Sequence, residues 1–298
     1  MVSRLDRLPR TTGVELPMAS PKNPPFWLTA LGNPKVSQTM GKLVRLRPPK
    51  PVLGAAIRLF SKAYGADVSE AERPIGDFDS FQDFFTRRLK TDARPIEQAP
   101  NLMPSPVDGV LSAFGPLGQG TLIQAKGVEY SLDDLLGGAE DAAAYRNGTY
   151  AVAYLAPKNY HRVHTAWQGA IVKWRYLPGA LFPVNNWGIK YVHGLFARNE
   201  RVLAHCESEF GPLAMIMVGA TCVGHMRVCF TNMAANEGHP DSGLCTLSPP
   251  LHQARGDEFG VFEMGSTVVL LFARNDVAPV VTVPSPIRMG QAILRFGK

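Results

Sequence analysis

The chain has 298 residues, 45% of them hydrophobic and 19% charged, with a formal net charge of +6. That is enough apolar chain for a substantial buried core. It does not provide the run of ~20 apolar residues needed to span a bilayer, because the best stretch, LAMIMVGATCVG, is short and broken by glycine.

The positive charge is concentrated at the N-terminus: residues 1–65 hold eleven Lys/Arg against two Asp/Glu, leaving twenty against twenty-three for the remainder. Residues 1–50 read as a basic, proline-rich arm, loose or partly helical, without the continuous apolar segment of a secretion signal, so a cytoplasmic location is the default. Such an arm suits nucleic acid, an acidic partner or an anionic membrane. It has no recognisable nucleic-acid motif and no interleaved stacking aromatics, so nucleic acid is not expected as a partner.

Residues 51–98 read as a helical, membrane-associating region. From Val52 to Tyr64, Leu53, Ala56, Ile57, Phe60 and Tyr64 recur at helical spacing with Arg58, Ser61 and Lys62 elsewhere around the helix. That pattern suits an interfacial amphipathic helix and equally a helix docked on its own core. In SFQDFFTRRLK, Phe81, Phe84, Phe85 and Leu89 share a face opposite Arg87, Arg88 and Lys90, and Asp79 or Ser80 can cap the start. TDARPIEQAP then reads as a linker.

Residues 99–298 form the third region, a β-rich core. Short apolar runs punctuated by Gly and Pro (GVLSAFG, TYAVAYLAP, GAIVKWRYLPG, RVLAHCESEF, LAMIMVG, STVVLLFA, VAPVVTVPSP) predict mostly antiparallel strands, and the class is therefore α+β with N-terminal amphipathic helices. The four cysteines, Cys206, Cys222, Cys229 and Cys245, lack any Cys-x-x-Cys pair and are expected to be reduced and buried.

Three polar spots interrupt this background. Asp108-Gly109 is a turn signal at the head of a strand. His161 and His164, in YHRVH, have no following Glu of the kind a zinc-binding helix needs, so no metal site is expected. Ser266 lies in Gly265-Ser266-Thr267, inside an otherwise apolar strand pattern, where glycine marks a bulge or a close backbone approach. A Ser, a His and an Asp on separate β segments are the materials of a proton relay, but the Gly-x-Ser-x-Gly elbow of an α/β-hydrolase is missing. The nearest electrophile to Ser266 along the chain is its own preceding carbonyl, that of Gly265.

GDEFGVFEMGSTVVLLF resembles the C-terminal signature of phosphatidylserine decarboxylases, whose Leu-Gly-Ser-Thr self-cleaves before serine. FDSFQDFFTRRLKTDARPIE, SPVDGVLS, YHRVH, LPGALFPVNNW, FARNERV and VGATCVG resemble further family segments in the family's order, so the likeness spans residues 50–298. It implies that His164, oriented by Asp108, takes the proton of Ser266, whose oxygen attacks Gly265. Cleavage between 265 and 266 would leave a β chain, 1–265, and an α chain, 266–298, held together non-covalently, with Ser266 converted to a pyruvoyl cofactor. The pyruvoyl would form a Schiff base with phosphatidylserine and serve as electron sink for its decarboxylation to phosphatidylethanolamine, as pyridoxal phosphate does elsewhere, with His161 as proton donor. The resemblance further implies a peripheral enzyme on the cytoplasmic face of an anionic membrane, and it permits a homodimer.

Two positions depart from the family pattern. Met264 replaces leucine, a volume-conserving change. Pro183 replaces serine and removes a hydroxyl and an N–H, shifting any proton chemistry there toward the histidines. Two competing readings are an unprocessed Ser-His-Asp lipid hydrolase and a non-catalytic membrane-binding β module.

Overall fold

The structure, a computed structural model, describes residues 25–118, 121–124, 128–221, 225–263 and 266–297. Residues 1–24 of the basic arm and the predicted scissile carbonyl of Gly265 lie outside the described residues. The chain enters through helices α1 (Phe26–Leu31), α2 (Pro34–Val44), α3 (Lys50–Tyr64) and α4 (Phe81–Phe85). Pro51 sits in the first turn of α3, where a missing N–H costs nothing, and Gly65 ends that helix at a φ of 73°.

The apolar face of α3 turns inward. Leu53 and Ile57 are buried with Ala71, Phe78 and Phe84, and Phe60 packs at the margin of this small cluster. Of the two alternatives the sequence left open for this face, docking on the protein's own core is the one realised. Ala56 and Tyr64 of the predicted face stay exposed, and so do apolar residues outside it: Leu59 on α3 is 71% exposed, and Leu43, Leu46 and Phe26 also face outward.

The α4 helix starts where predicted, with the Ser80 hydroxyl accepting from the Asp83 N–H. It stops at Phe85, four residues before the end of the predicted pattern. Arg88 and Lys90 instead pair through their backbone with Glu72 and Glu70, and this tertiary pairing overrides the helical periodicity. Its consequence is that Arg87, expected on a solvated face, is buried.

Among the described residues sixteen short strands follow: β1 (Leu102–Pro104), β2 (Gly109–Pro116), β3 (Thr121–Gln124), β4 (Val128–Ser131), β5 (Thr149–Leu155), β6 (Arg162–His164), β7 (Gly169–Leu177) and β8 (Arg201–Ser208) in the first half. The second half holds β9 (Gly211–Val218), β10 (Met226–Val228), β11 (Cys245–Gln253), β12 (Glu258–Phe262), β13 (Ser266–Phe272), β14 (Val277–Pro279), β15 (Ser285–Ile287) and β16 (Ala292–Phe296). The main sheet has the order β11-β7-β8-β9-β13-β5-β2-β15 and is antiparallel throughout. Smaller sheets are β10-β12-β6, β1-β16-β14 and the β3-β4 hairpin. Strand β13 lies inside the main sheet between β5 and β9, and every one of its residues is buried, as its unbroken apolar run requires.

Strand β11, CTLSPPLHQ, was not predicted, because two adjacent prolines argue against a strand. It occupies the sheet edge, where a residue without an N–H is tolerated. The cysteines also differ in part from expectation. Cys206 is buried, but Cys245 is half-buried and Cys229 exposed, and all three are free thiols; Cys222 lies outside the described residues.

Candidate active site

The register of the main sheet brings Asp108 and Ser266 to one end. Val110 of β2 and Thr267 of β13 both face Tyr154 of β5, and Ser266 is opposite Leu155. The outer two of these three strands are therefore about 10 Å apart, two strand spacings. Gly109 permits this packing, since a Cβ there would lie 2.3 Å from the Tyr154 carbonyl oxygen.

The histidine segment is tied to both. The His164 N–H donates to the Pro106 carbonyl at 2.9 Å, two residues before Asp108. The His161 carbonyl accepts from the Phe262 N–H at 2.9 Å, four residues before Ser266. Pairing of β6 with β12 sets Glu258 opposite His164. The four residues predicted from sequence thus stand on segments that converge, though each side chain has its own immediate partners.

Asp108 is held by Arg94, whose Nε and Nη2 donate to its two carboxylate oxygens at 2.9 and 2.6 Å, and by the Met289 N–H at 2.8 Å. Arg94 also donates to Glu70 at 2.7 Å, and these two carboxylates raise its pKa despite the burial that opposes the charge. With its oxygens occupied, Asp108 makes no hydrogen bond to His164 among the described residues. The orienting role expected of Asp108 is filled by two other groups: His164 Nδ1 lies 2.7 Å from the Gly256 carbonyl and Nε2 lies 3.0 Å from the Tyr160 hydroxyl. A carbonyl only accepts, so the proton is on Nδ1, and the Nε2 lone pair receives the Tyr160 O–H. Burial lowers the His164 pKa, opposed by the Gly256 bond and by the charges of Glu258 and Asp108. Burial likewise pushes the Tyr160 phenol up to about 12, so it is a neutral donor.

His161 is completely buried, with the Phe85 ring 4.1 Å from its own. Its Nδ1–H donates to the Asn159 carbonyl at 2.8 Å, which leaves Nε2 as a bare lone pair without a partner among the described residues. Burial lowers its pKa to about 3. At rest His161 is therefore a proton acceptor, and any donor role requires that it first take a proton. Ser266 is also fully buried, and its hydroxyl has no hydrogen-bond partner among the described residues. Buried polar groups are nearly always paired, and here His161, Ser266 and the adjacent Thr267 each keep a side-chain atom without a partner among the described residues.

The segment bearing Pro183 borders the same end. Leu181 accepts from Thr221, and Asn199 bridges Phe182 to Gly219, just beyond Val218, which faces Thr267. Among the described residues no cluster of three His, Cys, Asp or Glu is placed to hold a metal ion. Arg94, Tyr160 and Gly256 were not singled out from sequence. The Arg94 signal was present in the linker TDARPIE, an arginine close to the Asp-Gly turn, but nothing in the spacing joins them.

A family model described as phosphatidylserine decarboxylase matches residues 81–295. The chain belongs to the phosphatidylserine decarboxylase family. It is 40% identical over 262 residues to a phosphatidylserine decarboxylase proenzyme of Brevibacillus brevis, covering 87% of this chain and 92% of that protein. Proteins of the same description from Shewanella sp. (strain ANA-3) and Myxococcus xanthus are 45% and 38% identical, over 80% and 88% of this chain and 85% and 92% of theirs. The matched region contains Asp108, His161, His164 and Ser266, the four residues expected from sequence to form the site.

Proposed function

We propose that the chain is a proenzyme that cuts itself between Gly265 and Ser266, and that the mature enzyme decarboxylates phosphatidylserine to phosphatidylethanolamine. The observation that carries this reading is the Ser266 hydroxyl, fully buried and without a hydrogen-bond partner among the described residues. A hydroxyl held this way is free to attack the carbonyl that precedes it in the chain.

In processing, His164 takes the Ser266 proton at Nε2 once the Tyr160 hydroxyl releases that lone pair. The nearby charge of Asp108 favours the resulting imidazolium. The Ser266 oxygen adds to the Gly265 carbonyl, the peptide bond becomes an ester, and elimination frees residues 1–265 with a C-terminal carboxylate. Water then converts the dehydroalanine left at position 266 to a pyruvoyl group with loss of ammonia. Strand β13 keeps its pairings with β5 and β9, so the 33-residue fragment 266–298 stays attached through that strand without a covalent link.

The buried orphans fit a small carbonyl group at this position, because they leave lone pairs and a dry surrounding in place of water. The pyruvoyl supplies a carbonyl that holds the substrate amine and an electron sink for the pair left when carbon dioxide departs. His161 takes the ammonium proton of the substrate at Nε2 and returns a proton to the α carbon afterwards, so its proton count closes over the cycle. The Phe85 ring keeps that nitrogen away from solvent.

No helix among the described residues is long and apolar enough to cross a membrane. A peripheral position on an anionic, cytoplasmic leaflet is supported by Phe26, Leu43, Leu46 and Leu59, which are exposed beside the basic residues of the N-terminal helices. Intact mass spectrometry of the purified chain and of Ser266→Ala tests the central claim. A 33-residue fragment with an N-terminal pyruvoyl mass in the wild type alone supports it, and one uncut chain in both refutes it.

A further inference from the structure

Arg87 is 4% exposed, yet two of its guanidinium nitrogens, Nε and Nη1, have no hydrogen-bond partner among the described residues. Its remaining contacts are weak for a buried cation. Nη2 lies 3.4 Å from the Lys158 carbonyl, and the guanidinium carbon sits 5.0 Å from the centre of the Phe84 ring. A buried guanidinium without a carboxylate is costly unless an anion completes it. Burial pushes its pKa down, and the charges of Asp108 and Glu70 pull it back.

Arg87 lines a cavity of about 490 Å³ together with Arg94, Asp108, Lys158, Tyr160 and Arg288. The carboxylates nearby are already committed. Asp108 and Glu70 are bound by Arg94, Glu70 also pairs with Arg288 at 3.4 Å, and Asp67 accepts from Ser69. Lys158 and Arg288 are exposed at the same cavity. Arg87 is also one residue from Thr86, whose carbonyl is held by Arg162, and two from Phe85, which covers His161. The unsatisfied cation therefore stands beside Tyr160, Asp108 and His161, in a cavity whose cations, Arg87, Arg94, Lys158 and Arg288, outnumber its carboxylates, Asp67, Glu70 and Asp108.

We propose that Arg87 receives the phosphodiester of the lipid headgroup and so sets the headgroup's position relative to His161. The proposal rests on the phosphatidylserine reading given above, and it adds the residue that recognises the anion. A headgroup carboxylate is the other anion of the substrate. Pairing it with a buried guanidinium would stabilise the group that the reaction must expel, whereas the phosphodiester passes through unchanged. Contact with an unchanged group supports binding in ground and transition states alike, so its loss appears in KM and spares kcat.

The test uses mature wild type, Arg87→Gln and Arg87→Lys, with cleavage checked by intact mass and folding by unfolding temperature. In mixed micelles Arg87→Gln should raise KM for phosphatidylserine about ten- to a hundredfold with kcat changed only a few-fold, and Arg87→Lys should recover part of the loss. Calorimetry gives a readout apart from turnover. Glycerophosphocholine, a phosphodiester with no carboxylate and no amine able to condense, should bind wild type and not Arg87→Gln. The same pair in a Ser266→Ala background gives the comparison without maturation. Unchanged KM with retained glycerophosphocholine binding in Arg87→Gln overturns the proposal. So does Arg87-dependent binding of N-acetylserine in place of glycerophosphocholine, which would assign the residue to the carboxylate. Failure of mature wild type to decarboxylate phosphatidylserine would instead strike the functional reading, and it is scored separately from the Arg87-dependent binding of the phosphodiester.

Discussion

The Tyr160 hydroxyl lies 3.0 Å from Nε2 of His164, on the one nitrogen of that ring able to accept a proton. In the uncut chain the proposed base is therefore capped. Removing the cap with Tyr160→Phe should free the lone pair and speed cleavage at Ser266 several-fold, measured as the uncut fraction over time in a cell-free synthesis reaction. Cleavage that slows or stops would mean that Tyr160 relays the proton, with its hydroxyl standing between Ser266 and His164.

Maturation should also depend on pH with a definite sign. His164 acts as a base only when neutral, and burial holds its pKa below the usual 6.5. The cleavage rate should be flat from about pH 7 upward and fall as pH drops through the lowered pKa. Asp108→Asn removes a nearby negative charge that supports the imidazolium, so the fall should move to still lower pH while the plateau rate declines. A profile that rises toward acid would exclude His164 as the base.

Stability has a pH dependence of the same direction but a different source. His161 is held neutral, with its pKa near 3 in the fold against 6.5 when unfolded. Between these values the unfolded chain binds the extra proton, so its contribution is fully present above about pH 6.5 and is lost progressively down to about 3. The limiting slope is about 1.4 kcal/mol per pH unit for one such group. His161→Gln should flatten the decline of unfolding temperature between pH 7 and pH 5, in a Ser266→Ala background that keeps the chain uncut. An unchanged slope would place the titrating group elsewhere.

Arg94 carries structural weight of another kind. It satisfies Asp108 and Glu70 together, and removing it leaves the buried Asp108 carboxylate without a cation, while Glu70 keeps Arg288 at 3.4 Å. Arg94→Ala should cost about 3–5 kcal/mol of unfolding free energy and slow cleavage through misplacement of Asp108. Asp108→Asn in the same background should restore part of the stability without restoring cleavage. Additive losses in a double-mutant cycle would show that the pair is not coupled.

How far the sequence foretold all this differs by element. Apolar runs such as TYAVAYL and STVVLLF became interior strands because their residues alone exclude other placements. Edge strand β11 was hidden by its prolines, and α4 was overrun because backbone pairing of residues 88–90 with 70–72 is a long-range event that leaves no local trace. At the site, Asp108, His161, His164 and Ser266 stood out through chemistry and family likeness. The residues that hold them were less visible. Gly256 acts through its carbonyl, which any residue could supply, and Arg94 and Arg87 looked like ordinary surface cations until folding turned them inward.

On α3, two residues two positions apart, and so on opposite sides of the helix, have opposite fates. Ile57 is fully buried against the small aromatic cluster, and Leu59 is 71% exposed. Ile57→Glu buries a charge without a partner and should destabilise the N-terminal cluster by about 3 kcal/mol or more, lowering the unfolding temperature. Leu59→Glu touches no core residue and should leave that temperature within a degree or two. If the exposed face meets lipid, however, Leu59→Glu should weaken sedimentation with phosphatidylserine vesicles several-fold, and a second change, Leu46→Glu, should add to the loss. Vesicle binding that withstands both changes would move the membrane contact away from this face, with cleavage at Ser266 serving throughout as the check that the fold is intact.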